Sequence, residues 1–212
     1  MLHRTAIPFL ISAVLLAACA SCGPNPTRSP MPDLSTDDAP PTTSTATFGA
    51  GCYWCVEAVL EQVDGILEVD AGFMGGHVED PSYEQVCSGT TGHTEVVQLV
   101  FDPSVISYDQ ILEWFWKLHD PTTLDRQGAD VGPMYRSVIF YRDEDQRRRA
   151  EDSKARAEAS GHFDAPIVTA IESATTFYRA KQEHQDFYRN NRSYGYCRAV
   201  IAPKLDKLGL EK

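Results

Sequence analysis

Apolar and polar positions divide the chain into three regimes. Residues 1–19 are nearly all apolar, residues 20–46 are dominated by Pro, Ser, Thr and Asp, and beyond them apolar positions recur with the period of a strand or a helix. Thr45 to Phe48 predicts a short strand running into Gly49-Ala50-Gly51. Val56, Val59, Leu60 and Val63 then recur at helical spacing until Gly65 stops them. Ile66 to Phe73 alternates as a strand, a Gly-rich loop covers 72–94, and Glu95 to Phe101 is a further strand closed by Asp102-Pro103. A second helix begins near Ser107 and carries Ile111, Leu112, Phe115, Trp116 and Leu118; Ser137 to Tyr141 is again a strand. A charged helix (143–159), an extended run (167–173) and a last helix (176–190) follow.

The order β-α-β-β-α-β predicts an α+β fold: a two-layer sandwich with a ferredoxin-like core plus a C-terminal helix and tail. The 166 residues beyond position 46 suffice for one domain that buries roughly two-thirds of its unfolded surface, so no disulfide staple is required. The apolar stretch from Ala6 to Ala20 is about 15 residues long, short of the ~20 needed to span a bilayer. With His3 and Arg4 before it and the small residues Ala17 and Ala18 at its end, it reads as an export signal over 1–18. Leu16-Ala17-Ala18-Cys19 resembles a lipoprotein box, which would make Cys19 the lipidated first residue of the mature chain. Cleavage after Ala20, leaving Cys19 and Cys22 without a role, is the alternative. Residues 19–44 then form a disordered tether, because their composition cannot bury enough apolar surface to order itself, and 45–212 form the domain. The expected location is the cell envelope, lipid-anchored on a periplasmic or extracytoplasmic face.

Charge narrows the partners. Lys and Arg total 19 against 30 Asp and Glu, a net charge of -11. Residues 1–46 hold Arg4 and Arg28 against Asp33, Asp37 and Asp38, so nearly all of the excess acidity belongs to the domain. A nucleic-acid partner is excluded, since phosphates demand a positive surface.

Three clusters carry the candidate chemistry. Gly51-Cys52-Tyr53-Trp54-Cys55 stands where a strand meets a helix, so the helix N-terminus should favour a Cys52 thiolate beside an aromatic wall. Gly75-Gly76-His77, Tyr83 and Cys87 through Glu95 form the second. Glu95 opens an apolar strand, where partial desolvation would keep its carboxyl protonated as a proton donor requires. Arg126 through Ser137 is the third and offers Asp130 and Tyr135, with a plain surface turn as the competing reading. His77, His93, His119, His162 and His184 lack zinc-ligand spacing, so no metal is expected.

These clusters together resemble the class A methionine sulfoxide reductases. The similarity runs through Gly51 to Trp54, Gly72 to Gly76, Tyr83 to Glu95, Tyr108 to Pro121, Arg126 to Ser137, Glu183 to Tyr188 and Tyr194 to Cys197. The resemblance implies that Cys52 attacks the sulfoxide sulfur and that Tyr53 and Trp54 grip the substrate S-methyl group. The family usually has Phe where this chain has Tyr53, and the added hydroxyl should alter local wetting. It further implies that Glu95 protonates the sulfoxide oxygen, that Tyr83 and Tyr135 hold that oxygen, and that Asp130 orients the substrate's polar atoms. The product at Cys52 would be a sulfenic acid, which condenses with a second thiol. By resemblance that thiol is Cys197 on a mobile tail, with Cys55 as relay or bystander and no role carried for Cys87.

The activity so implied is thiol-dependent reduction of methionine S-sulfoxide, free or in oxidised proteins, by a monomer without cofactor. An intramolecular disulfide would then be reopened by a thioredoxin-like dithiol donor outside the cytoplasm. Two other readings compete: a thiol–disulfide oxidoreductase using Cys52 and Cys55 as a C-x-x-C pair, and a non-enzymatic lipoprotein that binds oxidised methionine.

Overall fold

The computed structural model describes residues 42–211. The export signal (1–18), Cys19, Cys22 and nearly all of the tether (19–44) lie outside the described residues. In chain order the elements are β1 (Ser44–Ala50), α1 (Tyr53–Leu60), β2 (Ile66–Met74), α2 (Tyr83–Cys87), β3 (Thr94–Phe101) and α3 (Tyr108–Leu118). There follow a small ribbon of β4 (Arg126–Gln127) and β5 (Asp130–Val131), then β6 (Ser137–Tyr141), α4 (Glu144–Ala159), β7 (Ala170–Ser173) and β8 (Tyr178–Arg179). The single turn α5 (Phe187–Asn190) and α6 (Ala202–Leu208) complete the chain.

The main sheet has the order β7-β6-β1-β3-β2-β8. Its central strands are antiparallel, β7 joins β6 in parallel, and β8 pairs antiparallel with β2. The expected β-α-β-β-α-β core is therefore present, widened by one short strand at each edge. Strand alternation explains the layering: Ala46, Phe48 and Ala50 of β1 and Val97, Leu99 and Phe101 of β3 join one core with Val56, Val59 and Leu60 of α1 and Ile111, Leu112 and Phe115 of α3. Burying each large apolar side chain contributes about 1.5–3 kcal/mol, so this face holds the helices down. The opposite face carries only a small cluster of Met74, Val96, Val138 and Phe140. Ser107 and Asp143 cap α3 and α4 by accepting from the backbone N–H groups of Gln110 and Gln146.

The structure corrects three expectations. The loop over 72–94 contains α2, started by a capping box in which Ser82 and Gln85 hydrogen-bond each other's backbone. The helix expected over 176–190 does not form. That stretch supplies β8, a tight turn at Gln182–His184 and α5, because it is bonded to an edge strand instead of to itself. The Gln185 amide accepts from the Ala71 N–H and donates to the Ala71 and Ala180 carbonyls, at 2.8–2.9 Å, and the Ala180 N–H donates to Ala71 as well. Asp186, at φ 51°, leaves the helical region altogether. The segment around Cys197, expected as a tail beyond the last helix, is itself helical: a π turn at Cys197–Ile201 leads into α6, with Cys197 fully buried.

Candidate active site

Gly51 turns the chain from β1 into α1. Its φ of 89° belongs to the left-handed region, and a Cβ there would lie 2.6 Å from the Gln127 side chain, so glycine alone fits. This tight corner puts Cys52 at the N-cap of α1, with its side chain making no cap hydrogen bond. Around it lies a cavity of about 220 Å³. α1 and its cap contribute Cys52, Tyr53 and Trp54; Tyr83 starts α2, Glu95 comes from β3 and Asp130 from β5. Tyr135 closes a 3₁₀ turn before β6, and Tyr194 and Tyr196 arrive from the C-terminal segment. A larger cleft of about 610 Å³, bordered by His119, Lys204 and Lys207, contains no cysteine.

Strand alternation puts Glu95 on the same face as Val97 and Leu99, beneath the start of α1. It is 2% exposed. One carboxyl oxygen accepts the Tyr53 backbone N–H at 3.1 Å, satisfying a group that the helix end leaves unpaired. Burial raises the pKa of Glu95 to about 8; the Tyr53 hydrogen bond opposes that rise, and the charges of Asp130 and Cys55 add to it. Glu95 is therefore protonated at neutral pH. Burial likewise keeps Tyr83 and Tyr135 as neutral phenols, able to donate hydrogen bonds.

The sulfurs depart from expectation. Burial pushes the Cys52 thiol well up, and Cys55 and Glu95 reinforce the shift, so desolvation outweighs the helix end that was expected to hold a thiolate there. Cys55, one turn along α1, is hydrogen-bonded to Cys52 and held below the usual thiol range by that bond, with the Lys204 charge assisting. Of the two sulfurs, burial disfavours ionisation of Cys52 and the bond from Cys52 favours it at Cys55. Cys55 also lies 3.4 Å from the Tyr196 hydroxyl, which donates to Asp130 at 2.6 Å. Cys197 does not line the cavity. Its thiol is raised by burial and by the charge of Cys55, and the sulfur that shifts Cys52 is Cys55. All four cysteines of the domain are free, and Cys87 is exposed.

Trp54 stacks face to face on Phe187, with centroids 3.7 Å apart at 9°. His184 lies nearly parallel to Trp54 at 5.7 Å and contacts the Tyr83 ring at 4.5 Å. The Tyr53 ring is 1% exposed, and its hydroxyl is buried with no partner among the described residues. Of the residues singled out from the sequence, Cys52, Tyr53, Trp54, Tyr83, Glu95, Asp130 and Tyr135 line the cavity, whereas Cys55, Cys87 and Cys197 do not. The reading of the sequence missed Tyr196, the link between Asp130 and Cys55. Its only signal was its place beside Cys197 in an aromatic-glycine run.

Comparison with known proteins places these residues in context. The chain matches the family described as Peptide methionine sulfoxide reductase over residues 44–212. It is 49% identical over 164 residues to the peptide methionine sulfoxide reductase MsrA of Natronomonas pharaonis, covering 77% of this chain and 92% of that protein. With the MsrA of Methanothermobacter thermautotrophicus the identity is 56% over 146 residues, covering 69% and 86%. Among solved structures, methionine sulfoxide reductase A of Corynebacterium diphtheriae superposes with a TM-score of 0.67 at 33% identity, covering 84% of this chain and 89% of that one. Mxr1 of Saccharomyces cerevisiae in reduced form gives a TM-score of 0.69 at 29% identity, covering 73% and 89%.

Proposed function

The chain belongs to the peptide methionine sulfoxide reductase family, and from that premise we propose that it reduces the S epimer of methionine sulfoxide, free or in proteins. The observation that carries this reading is a buried, protonated Glu95 in the same small cavity as Cys52. Sulfoxide oxygen leaves only when protonated, so a nucleophilic sulfur needs an acid within reach.

The steps follow from the two proton positions. Cys52 passes its proton to Cys55, the sulfur bonded to it whose ionised form is favoured, and attacks the substrate sulfur. Glu95 gives its proton to the oxygen, and Tyr83 and Tyr135 share the developing charge. Methionine leaves, and Cys52 carries the oxygen as a sulfenic acid. The Cys55 thiol then attacks Cys52, releasing water and leaving a Cys52–Cys55 disulfide. Exchange with Cys197 carries the disulfide onward, and a thioredoxin-like dithiol reopens it. This order departs from the assignment of Cys197 as first resolving residue, because Cys55 is the sulfur hydrogen-bonded to Cys52.

The finer parts of the reading are that Cys19 is lipidated, that the domain works as a monomer at the envelope, and that its donor lies outside the cytoplasm. Their support is the Leu16-Ala17-Ala18-Cys19 box and the Pro-rich segment after it. The hydrogen-bonded Cys52–Cys55 pair favours one alternative, a general thiol–disulfide oxidoreductase. Incubating the protein with resolved R and S sulfoxides and dithiothreitol tests the main reading: methionine is expected from the S epimer alone. Insulin reduction without sulfoxide turnover would support the alternative.

A further inference from the structure

The cavity has a wall whose placement depends on a carboxyl that never reaches it. Glu57, on α1, is 1% exposed, and its two oxygens accept the backbone N–H groups of Asp186 at 3.0 Å and Phe187 at 3.2 Å. Asp186 is in the left-handed region at φ 51°, a conformation that costs a non-glycine residue about 1 kcal/mol or more and persists only where neighbours hold it. The kink at Asp186 brings Phe187 flat onto Trp54 at 3.7 Å, and Trp54 lines the cavity. The corner is also braced by ion pairs of Arg189 with Glu61 and Asp186, each 2.8 Å long with Arg189 60% exposed, by the Asn191 amide donating to the Phe187 carbonyl at 3.0 Å, by the Asn190 N–H donating to the Asp186 carbonyl at 3.0 Å, and by the Tyr194 ring edge-on to Phe187. The exposed pairs contribute little, and the bonds from Asn190 and Asn191 and the Tyr194 ring come from the segment that follows the corner, so the Glu57 bonds are what tie the Asp186 and Phe187 backbone to α1.

We propose that Glu57 is a positioning residue for sulfoxide binding: it latches the Asp186–Phe187 corner and thereby sets the plane of Trp54 against the substrate's methyl group. The proposal rests on the cavity being the methionine sulfoxide site. It makes Glu57 an element of binding and leaves proton transfer to Glu95. The substitution Glu57→Gln keeps the shape but turns an amide NH₂ toward one of the two N–H donors, which opens half of the latch.

The test measures KM for N-acetyl-methionine S-sulfoxide and, separately, the single-turnover rate at saturating sulfoxide. For Glu57→Gln, KM is expected to rise about tenfold while the saturated rate stays within about twofold of wild type. Phe187→Leu, which removes the stacking partner and leaves Glu57 intact, should reproduce the KM rise and serves as the readout if Glu57→Gln does not fold. An unchanged KM in either folded variant, or an equal fall in the saturated rate, overturns the proposal. Wild-type turnover in the same assay separates the two levels: if it fails, the sulfoxide reading itself fails.

Discussion

Glu95 on β3 and Glu57 on α1 are two carboxyls in nearly the same physical state, at 2% and 1% exposure. Both accept backbone N–H groups, and burial raises the pKa of each to about 8. Their surroundings differ. Glu95 lines a cavity with Cys52, Tyr83 and Tyr135, whereas Glu57 faces the backbone of a corner and does not line that cavity. A perturbed carboxyl thus marks a reacting group only where a space for substrate adjoins it; elsewhere the same perturbation records a structural bond.

Replacing each glutamate by glutamine should break their likeness. Glu95→Gln removes the proton donor, and the first-turnover rate is expected to fall by about 10²–10⁴-fold with its decline through about pH 8 abolished. A rapid-quench measurement of methionine release reads both. The sulfurs extend the contrast between touching and not touching the reacting centre. Cys197→Ser should still release about one methionine per chain and show a Cys52–Cys55 disulfide by mass, while turnover with a thioredoxin-like donor stops. A sulfenic acid accumulating in Cys197→Ser would return the first resolving role to Cys197.

Stability should treat the two glutamates alike. Each binds its proton more tightly folded than unfolded, so between pH 5 and about 8 the folded state holds protons that the unfolded state has lost. Melting temperature should therefore decline as pH rises through that window, and either Gln variant should flatten the decline. A slope unchanged in both would contradict the burial argument. The smallest effect is expected at Tyr53, where Tyr53→Phe deletes an unpartnered buried hydroxyl and should stabilise the domain by about 1 kcal/mol in denaturant titration.

The parts of the molecule readable from sequence are those in which local pattern and tertiary role agree. β1, β2, β3, β6, α3 and α4 follow their periods, and Ser107 and Asp143 cap where the pattern begins. The clusters around Cys52, Tyr83 to Glu95 and Asp130 to Tyr135 could be named because each stands at the end of a regular element. The stretch over 176–190 was misread because side chains override local preference there. Gln185 bonds the edge of β2, Glu57 bonds the Asp186 corner, and neither bond leaves a trace in hydrophobic spacing. The protonation of the cysteine pair was equally hidden, since a helix N-terminus is visible in sequence and the depth of burial around Cys52 is not.

The most direct test is the pH profile of single-turnover methionine release from reductant-free enzyme and methionine S-sulfoxide. The account predicts a rate that falls as pH rises through about 8 and loses that fall in Glu95→Gln. A wild-type rate that climbs through the same range, or a Glu95→Gln rate equal to wild type, would contradict it.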